Sequence, residues 1–199
     1  MVTLRAAPMA VRDISAFFYF SVGTMNENDM QHGIDYAGQD ITEFIATEKF
    51  NGCRAYWDGF NMWTRGSFRV ALPDSWRAVL PTGVSLDGEV YDGVDGFYRS
   101  VSAVRYGRFT PFIKFMIFDS PSCPGEYVDR LTHAKEYETG PLVVAPFWRI
   151  KNFKDALNYL KEIIARGGEG LMLRHKSLSY SAGRTKLMMK LKEGMVNQK

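Results

Sequence analysis

Thr47-Glu48-Lys49-Phe50-Asn51-Gly52-Cys53-Arg54 is the stretch on which the reading of this chain turns. Just beyond it, Cys53–Trp57 and residues 60–64 read as strands around Asp58-Gly59, a hairpin with its turn. A lysine side chain is ordinarily protonated at neutral pH. Lys49 is a nucleophile only where desolvation, a metal ion or neighbouring cations disfavour the ammonium. Alone it reads as a surface lysine, so the argument moves outward to the segments that follow.

Leu86-Asp87-Gly88-Glu89-Val90-Tyr91 lies in a strand expected over 85–91, with Asp87 and Glu89 two apart and on one side. Such carboxylates suit a hard Mg²⁺ ion or a ribose hydroxyl. Phe115-Met116-Ile117-Phe118-Asp119 ends a nearly all-apolar strand over 112–119, expected to be central. Phe118 is the candidate for stacking on a base, and Phe115 for the core. Gly167-Gly168-Glu169-Gly170-Leu171-Met172-Leu173-Arg174 adds another carboxylate before a strand over 171–174. In a last strand over 187–192, Lys190 and Lys192 project to the same side. Phe153, Leu157, Leu160 and Ile164 recur at helical spacing over 153–166, with Asn152 as N-cap and Gly167-Gly168 as terminator. A short helix is expected over 74–80. The mixture predicts an α+β fold of antiparallel sheets flanked by helices; strand pairing does not follow from it.

These segments, in this order, resemble motifs I, III, IIIa, IV and V of the covalent nucleotidyltransferases. From about residue 34 to 192 the chain is similar to the adenylation domain of minimal bacterial and phage ATP-dependent DNA ligases. Trp63-Thr64-Arg65-Gly66, Asp119-Ser120-Pro121 and Asp129-Arg130-Leu131 echo the same enzymes. The resemblance implies an ATP-grasp-like fold and ATP as AMP donor, with Mg²⁺ or Mn²⁺. It implies a nicked double-stranded DNA substrate with 5′-phosphate and 3′-hydroxyl ends. Lys49 would be the catalytic lysine that takes AMP. Glu48, Arg54, Arg65, Glu89, Phe118, Lys190 and Lys192 would bind the nucleotide, and Asp87, Glu89 and Glu169 the metal. Asn51 stands where the family carries Asp, which removes a negative charge but keeps hydrogen-bonding capacity. The chain is also expected to lack the C-terminal OB-fold, and to act with a separate OB-fold domain or protein. RNA ligation and a weakened nucleotide- or nick-binding module are the alternatives.

A length of 199 residues, 46% hydrophobic and 14% aromatic, predicts one sizeable domain. The expected division is an N-terminal extension over 1–32 and a nucleotidyltransferase domain over 33–199. The net charge of +3 permits nucleic-acid contact without arguing for it. From Arg174 onward, however, Lys and Arg face Glu193 alone. Cys53, Cys123 and three scattered histidines make no metal-ligand spacing, and both thiols are expected to be free. No apolar run approaches the roughly 20 residues of a membrane span. The short run 14–22, after Arg5 and Arg12, lacks a clear cleavage site, so a cytoplasmic protein is expected, with periplasm or secretion as the alternative.

Overall fold

The computed structural model describes residues 29–195; the expected N-terminal extension, apart from 29–32, and its apolar run 14–22 lie outside the described residues. Along the chain run β1 (Gln31–Asp35), β2 (Phe44–Glu48), β3 (Cys53–Trp57), β4 (Met62–Thr64), α1 (Asp74–Arg77), β5 (Leu86–Tyr91) and α2 (Phe97–Tyr106). They are followed by β6 (Lys114–Asp119), α3 (Tyr127–Ala134), β7 (Leu142–Val144), β8 (Phe147–Arg149), α4 (Phe153–Ala165), β9 (Leu171–His175) and β10 (Gly183–Leu191).

Two five-stranded sheets result, ordered β1-β10-β9-β2-β8 and β4-β3-β5-β6-β7. Strand alternation gives each sheet two unlike faces. In the first, Phe44, Ala46, Leu171, Leu173, Met189 and Leu191 pack in one core with Ala156, Leu160 and Ile163 of α4. Each such Leu or Ile contributes roughly 1.5–3 kcal/mol by leaving water. Their neighbours Met172, Arg174, Met188 and Lys190 face a cleft instead. In the second sheet, Ala55, Trp57, Leu86, Val90, Phe115 and Ile117 form a core with Trp76 of α1, Ala103 and Val104 of α2, and Tyr127 and Leu131 of α3. Arg54, Glu89 and Phe118 face the same cleft from this side. Helices therefore cover one face of each sheet, and the other faces border the site.

Asn152 caps α4 as expected, its Oδ1 accepting the Asp155 N–H at 3.0 Å. In the β3–β4 hairpin, Asp58 Oδ1 accepts from the N–H groups of Phe60 and Asn61, and Gly59 takes φ +98°. Not every pairing is antiparallel: β1 with β10 and β6 with β7 run parallel. The second follows from connectivity, because α3 carries the chain back across the sheet between β6 and β7. β6 lies inside its sheet, between β5 and β7, as its apolar sequence predicts. Cys53 and Cys123 are free thiols.

Candidate functional site

β2 leads straight into Lys49, whose N–H donates to Gly170 O at 2.8 Å and so prolongs the β2–β9 ladder by one step. That step needs a glycine: Gly170 has φ +146°, and a Cβ there would lie 2.4 Å from Leu191 O. The preceding residue, Glu169, is thereby brought to Lys49. Lys49 Nζ donates to Glu169 Oε2 at 2.6 Å, and Lys192 Nζ donates to the other oxygen. Burial pushes the Glu169 carboxyl up, but the hydrogen bonds from Lys192 and Lys49 outweigh it and hold the group below the usual range.

Opposite, the β3–β5 register sets Arg54 beside Glu89 and Tyr56 beside Asp87, so Asp87 and Glu89 do share a side. Their surroundings differ. Asp87 is 1% exposed. Its two oxygens accept from Arg54 Nε at 3.1 Å and Nη2 at 2.6 Å, and Tyr180 Oη donates at 2.7 Å. Asp87, expected among the metal ligands, therefore has three of its acceptor sites engaged by Arg54 and Tyr180. Glu89 opens to the cleft, with one oxygen accepting the Gly52 N–H at 3.2 Å. Burial pushes its carboxyl up to about 8, with Arg54 and Lys49 opposing the shift. Gly52 permits this contact by lying against β5, where a Cβ would meet Val90 O at 2.3 Å.

Phe118 packs with Phe50 and Ala145, and two guanidinium groups lie over its ring: Arg174 at 4.7 Å from the centroid and Arg54 at 5.6 Å. Phe115, by contrast, is wholly core. The main cleft, about 1090 Å³, is lined by Glu48, Lys49, Arg54, Arg65, Glu89, Phe118 and Lys190, among others. Lys190 pairs with Asp35 at 2.9 Å on the rim. Asn51 lies outside this lining, in a neighbouring pocket with Glu48, Lys49 and Glu169. Burial pushes the Glu48 carboxyl up, and its partner Arg166 opposes this. Arg174 had no expected role, yet it packs its guanidinium on the Phe118 ring and lines the cleft. It is 2% exposed and donates to Thr47 Oγ1 at 3.1 Å and to Tyr127 Oη at 3.4 Å. Its signal was the basic residue closing the Glu-Gly-Leu-Met-Leu-Arg run.

Among the described residues, no cluster of three or more His, Cys, Asp or Glu side chains forms a metal cage, and no helix is long and apolar enough to cross a membrane. A Mg²⁺ ion carried by a triphosphate needs only one or two protein carboxylates. Glu89 and Glu169, either side of Lys49, fit that demand.

No protein-family model matches the chain. It is 25% identical over 187 residues to a DNA ligase of Haemophilus influenzae, covering 91% of this chain and 69% of the relative. Among solved structures it superposes on a Lig E DNA ligase with a TM-score of 0.74 at 28% identity, covering 83% of this chain and 68% of that one. Chlorella virus DNA ligase-adenylate has the same fold, with a TM-score of 0.70 at 21% identity over 84% of this chain and 68% of its own. These likenesses are to DNA ligases and do not favour the RNA-ligase alternative. Motif order, the two-walled cleft and these relatives agree: the chain is similar to the nucleotidyltransferase domain of minimal ATP-dependent DNA ligases.

Proposed function

We propose that Lys49 is the residue that carries AMP in this ligase. The observation that carries the reading is the position of Lys49: its Nζ bonds to Glu169, and it lines the cleft that Glu89 and Phe118 also line. In the first step Nζ attacks the α-phosphate of ATP. A P–N bond forms, the bond from the α-phosphorus to the bridging oxygen breaks, pyrophosphate leaves, and the lysine proton departs through the Glu169 contact. AMP then passes to the 5′-phosphate of a nick, and the 3′-hydroxyl displaces it to seal the strand. Phe118, with two guanidiniums packed against its ring, offers the stacking surface for adenine, a contribution of about 1–3 kcal/mol that orients more than it drives.

Arg54, Arg65, Lys190 and Lys192 supply positive charge for the phosphates, Arg54 as a fork held by Asp87. Glu48 borders the nucleotide end of the cleft. Glu89 and Glu169 are the groups to hold Mg²⁺, which when bound neutralises phosphate charge. Asn51 sits beside Lys49 without the family's negative charge, so adenylation proceeds more slowly than with Asp there. Nicked duplex DNA is the substrate, an OB-fold domain or protein is its second grip, residues 33–199 are the nucleotidyltransferase domain, and the cytoplasm is the compartment that supplies ATP and DNA together.

The test is intact mass after incubation with ATP and Mg²⁺. The protein gains one AMP, Lys49→Ala gains none, and Asn51→Asp gains it faster. An adduct of equal yield on Lys49→Ala would remove Lys49 from the reaction.

A further inference from the structure

The connection between β9 and β10, residues 176–182, belongs to the first sheet but also bonds to the second. Leu178 O accepts from Arg130 Nη1 at 2.7 Å, and Arg130 in turn grips Asp119 at the end of β6 through Nε at 2.6 Å and Nη2 at 3.1 Å. Ser179 O accepts from Gln31 Nε2 at 2.9 Å, a side chain only 1% exposed. Between these anchors Tyr180 lies against Tyr56 and sends its hydroxyl to Asp87 Oδ2 at 2.7 Å. Asp87 is the carboxylate that fixes the Arg54 fork. The chain of contacts therefore runs from the backbone of one cleft wall to a cation on the other.

Such an arrangement has a cost unless it is used. A phenol hydroxyl on a carboxylate that already holds a guanidinium adds nothing to charge balance; it restricts where the carboxylate sits. Asp87 has rotational freedom about its side chain, and a single guanidinium would move with it. A second, rigid donor from another sheet removes that freedom. Because the aromatic ring of Tyr180 is packed and its loop pinned at Leu178 and Ser179, its hydroxyl is a fixed point.

We propose that Tyr180 is a positioning residue for nucleotide binding: through Asp87 it holds the Arg54 guanidinium at the cleft surface and ties that cation to the wall that carries Lys49. The proposal rests on the reading of Arg54 as a phosphate-binding cation. It does not depend on transfer of AMP to Lys49.

The test uses the full chain and an ATP analogue whose α,β-bridging oxygen is a methylene group, so that binding is measured without transfer. Calorimetric titration of wild type, Tyr180→Phe, Arg54→Ala and the double variant forms a cycle. Tyr180→Phe weakens analogue binding about fivefold, the scale of one hydrogen bond, while its melting temperature stays near that of wild type. In the Arg54→Ala background the same change has no further effect. With ATP itself, Tyr180→Phe raises the concentration needed for half-maximal Lys49 adenylation and leaves the saturated rate within about twofold, a split that general loosening would not give. Unchanged analogue affinity in Tyr180→Phe overturns the proposal, as does a loss that adds in full to that of Arg54→Ala. Analogue binding without any lysyl-AMP in wild type would count against Lys49 alone and leave the cycle to judge Tyr180.

Discussion

Asp119 and Glu169 are both carboxylates held by cations, yet they do opposite things. Asp119 is 1% exposed and meets one guanidinium, that of Arg130, whose remaining donors bond to Gly125 O at 3.1 Å and Leu178 O at 2.7 Å. Four of the five guanidinium N–H donors are used, and both side chains are all but closed to water. Glu169 is instead shared between two ammonium groups on flexible stems, with side chains 21% exposed for Lys49 and 39% for Lys192. Lys49 lines the cleft and Glu169 the pocket beside it, so these contacts can be exchanged for phosphate oxygens or a metal ion. Pairing of opposite charges alone does not mark a catalytic centre. What marks it is access, together with donors and acceptors that a ligand can take over. Glu89 stands between the two, enclosed like Asp119 but opening to the cleft as Lys49 does. Substitutions at the three places grade the contrast.

The largest effect on stability belongs to the closed pair. Arg130→Met leaves Asp119 buried without its counter-charge and frees two carbonyls, which costs about 3–5 kcal/mol. Urea unfolding of the variant against wild type measures it. A loss below about 1 kcal/mol, the worth of an exposed pair, would erase the distinction between the two clusters.

Glu89 gives an intermediate effect with a definite pH signature. Its folded carboxyl titrates near 8, above its value in an unfolded chain. A raised folded value means the favourable contribution is complete below the unfolded value and is lost as pH climbs through the folded one. Between about pH 4.5 and 8, wild type should therefore lose stability relative to Glu89→Gln, on the order of 1–2 kcal/mol once screening through the open cleft is allowed for. Parallel unfolding curves for the two proteins across that window would show that burial does not govern Glu89.

What the sequence made legible has a common physical origin. The β3–β4 hairpin, β5, β6 and α4 each carry their own signal, because turn residues, alternation and the Asn152 cap act within a few positions. The cleft-facing sides of Lys49, Glu89, Phe118 and Lys190 follow from the same period of two. α2 was not legible, since its buried face is built from Ser100, Ala103 and Val104 while Phe97, Tyr98 and Tyr106 are exposed. α3 hides its pattern behind the buried Arg130, although Glu126 and Asp129 form a capping box that could have announced it. The role of Asp87 was illegible for another reason: its partners lie 33 and 93 positions away, at Arg54 and Tyr180. Two carboxylates two residues apart share a face by geometry, but which one is left free for a ligand is decided by long-range contacts. The parallel pairing of β1 with β10, Ile34 beside Met189, is equally remote in sequence.

The smallest effect is expected at the cluster closest to the chemistry. Glu169→Gln keeps the shape of the side chain and removes the charge shared by Lys49 and Lys192. Because both pairs are partly open to water, the stability lost at neutral pH stays below about 1 kcal/mol. The sign with pH is the reverse of that at Glu89. The folded Glu169 carboxyl is held below its usual range by the two lysines, so its contribution is present above the unfolded value and vanishes as pH falls through the folded one. Wild type and Glu169→Gln should therefore differ slightly at pH 7 and converge as the pH falls below the usual carboxylate range. Activity moves the other way: loss of the carboxylate that holds the lysine, and that stands ready for a metal ion, slows lysyl-AMP formation by about 10–100-fold. A variant that lost several kcal/mol of stability and kept its adenylation rate would put Glu169 in the class of Asp119, with the cleft cluster a structural pair that happens to be exposed.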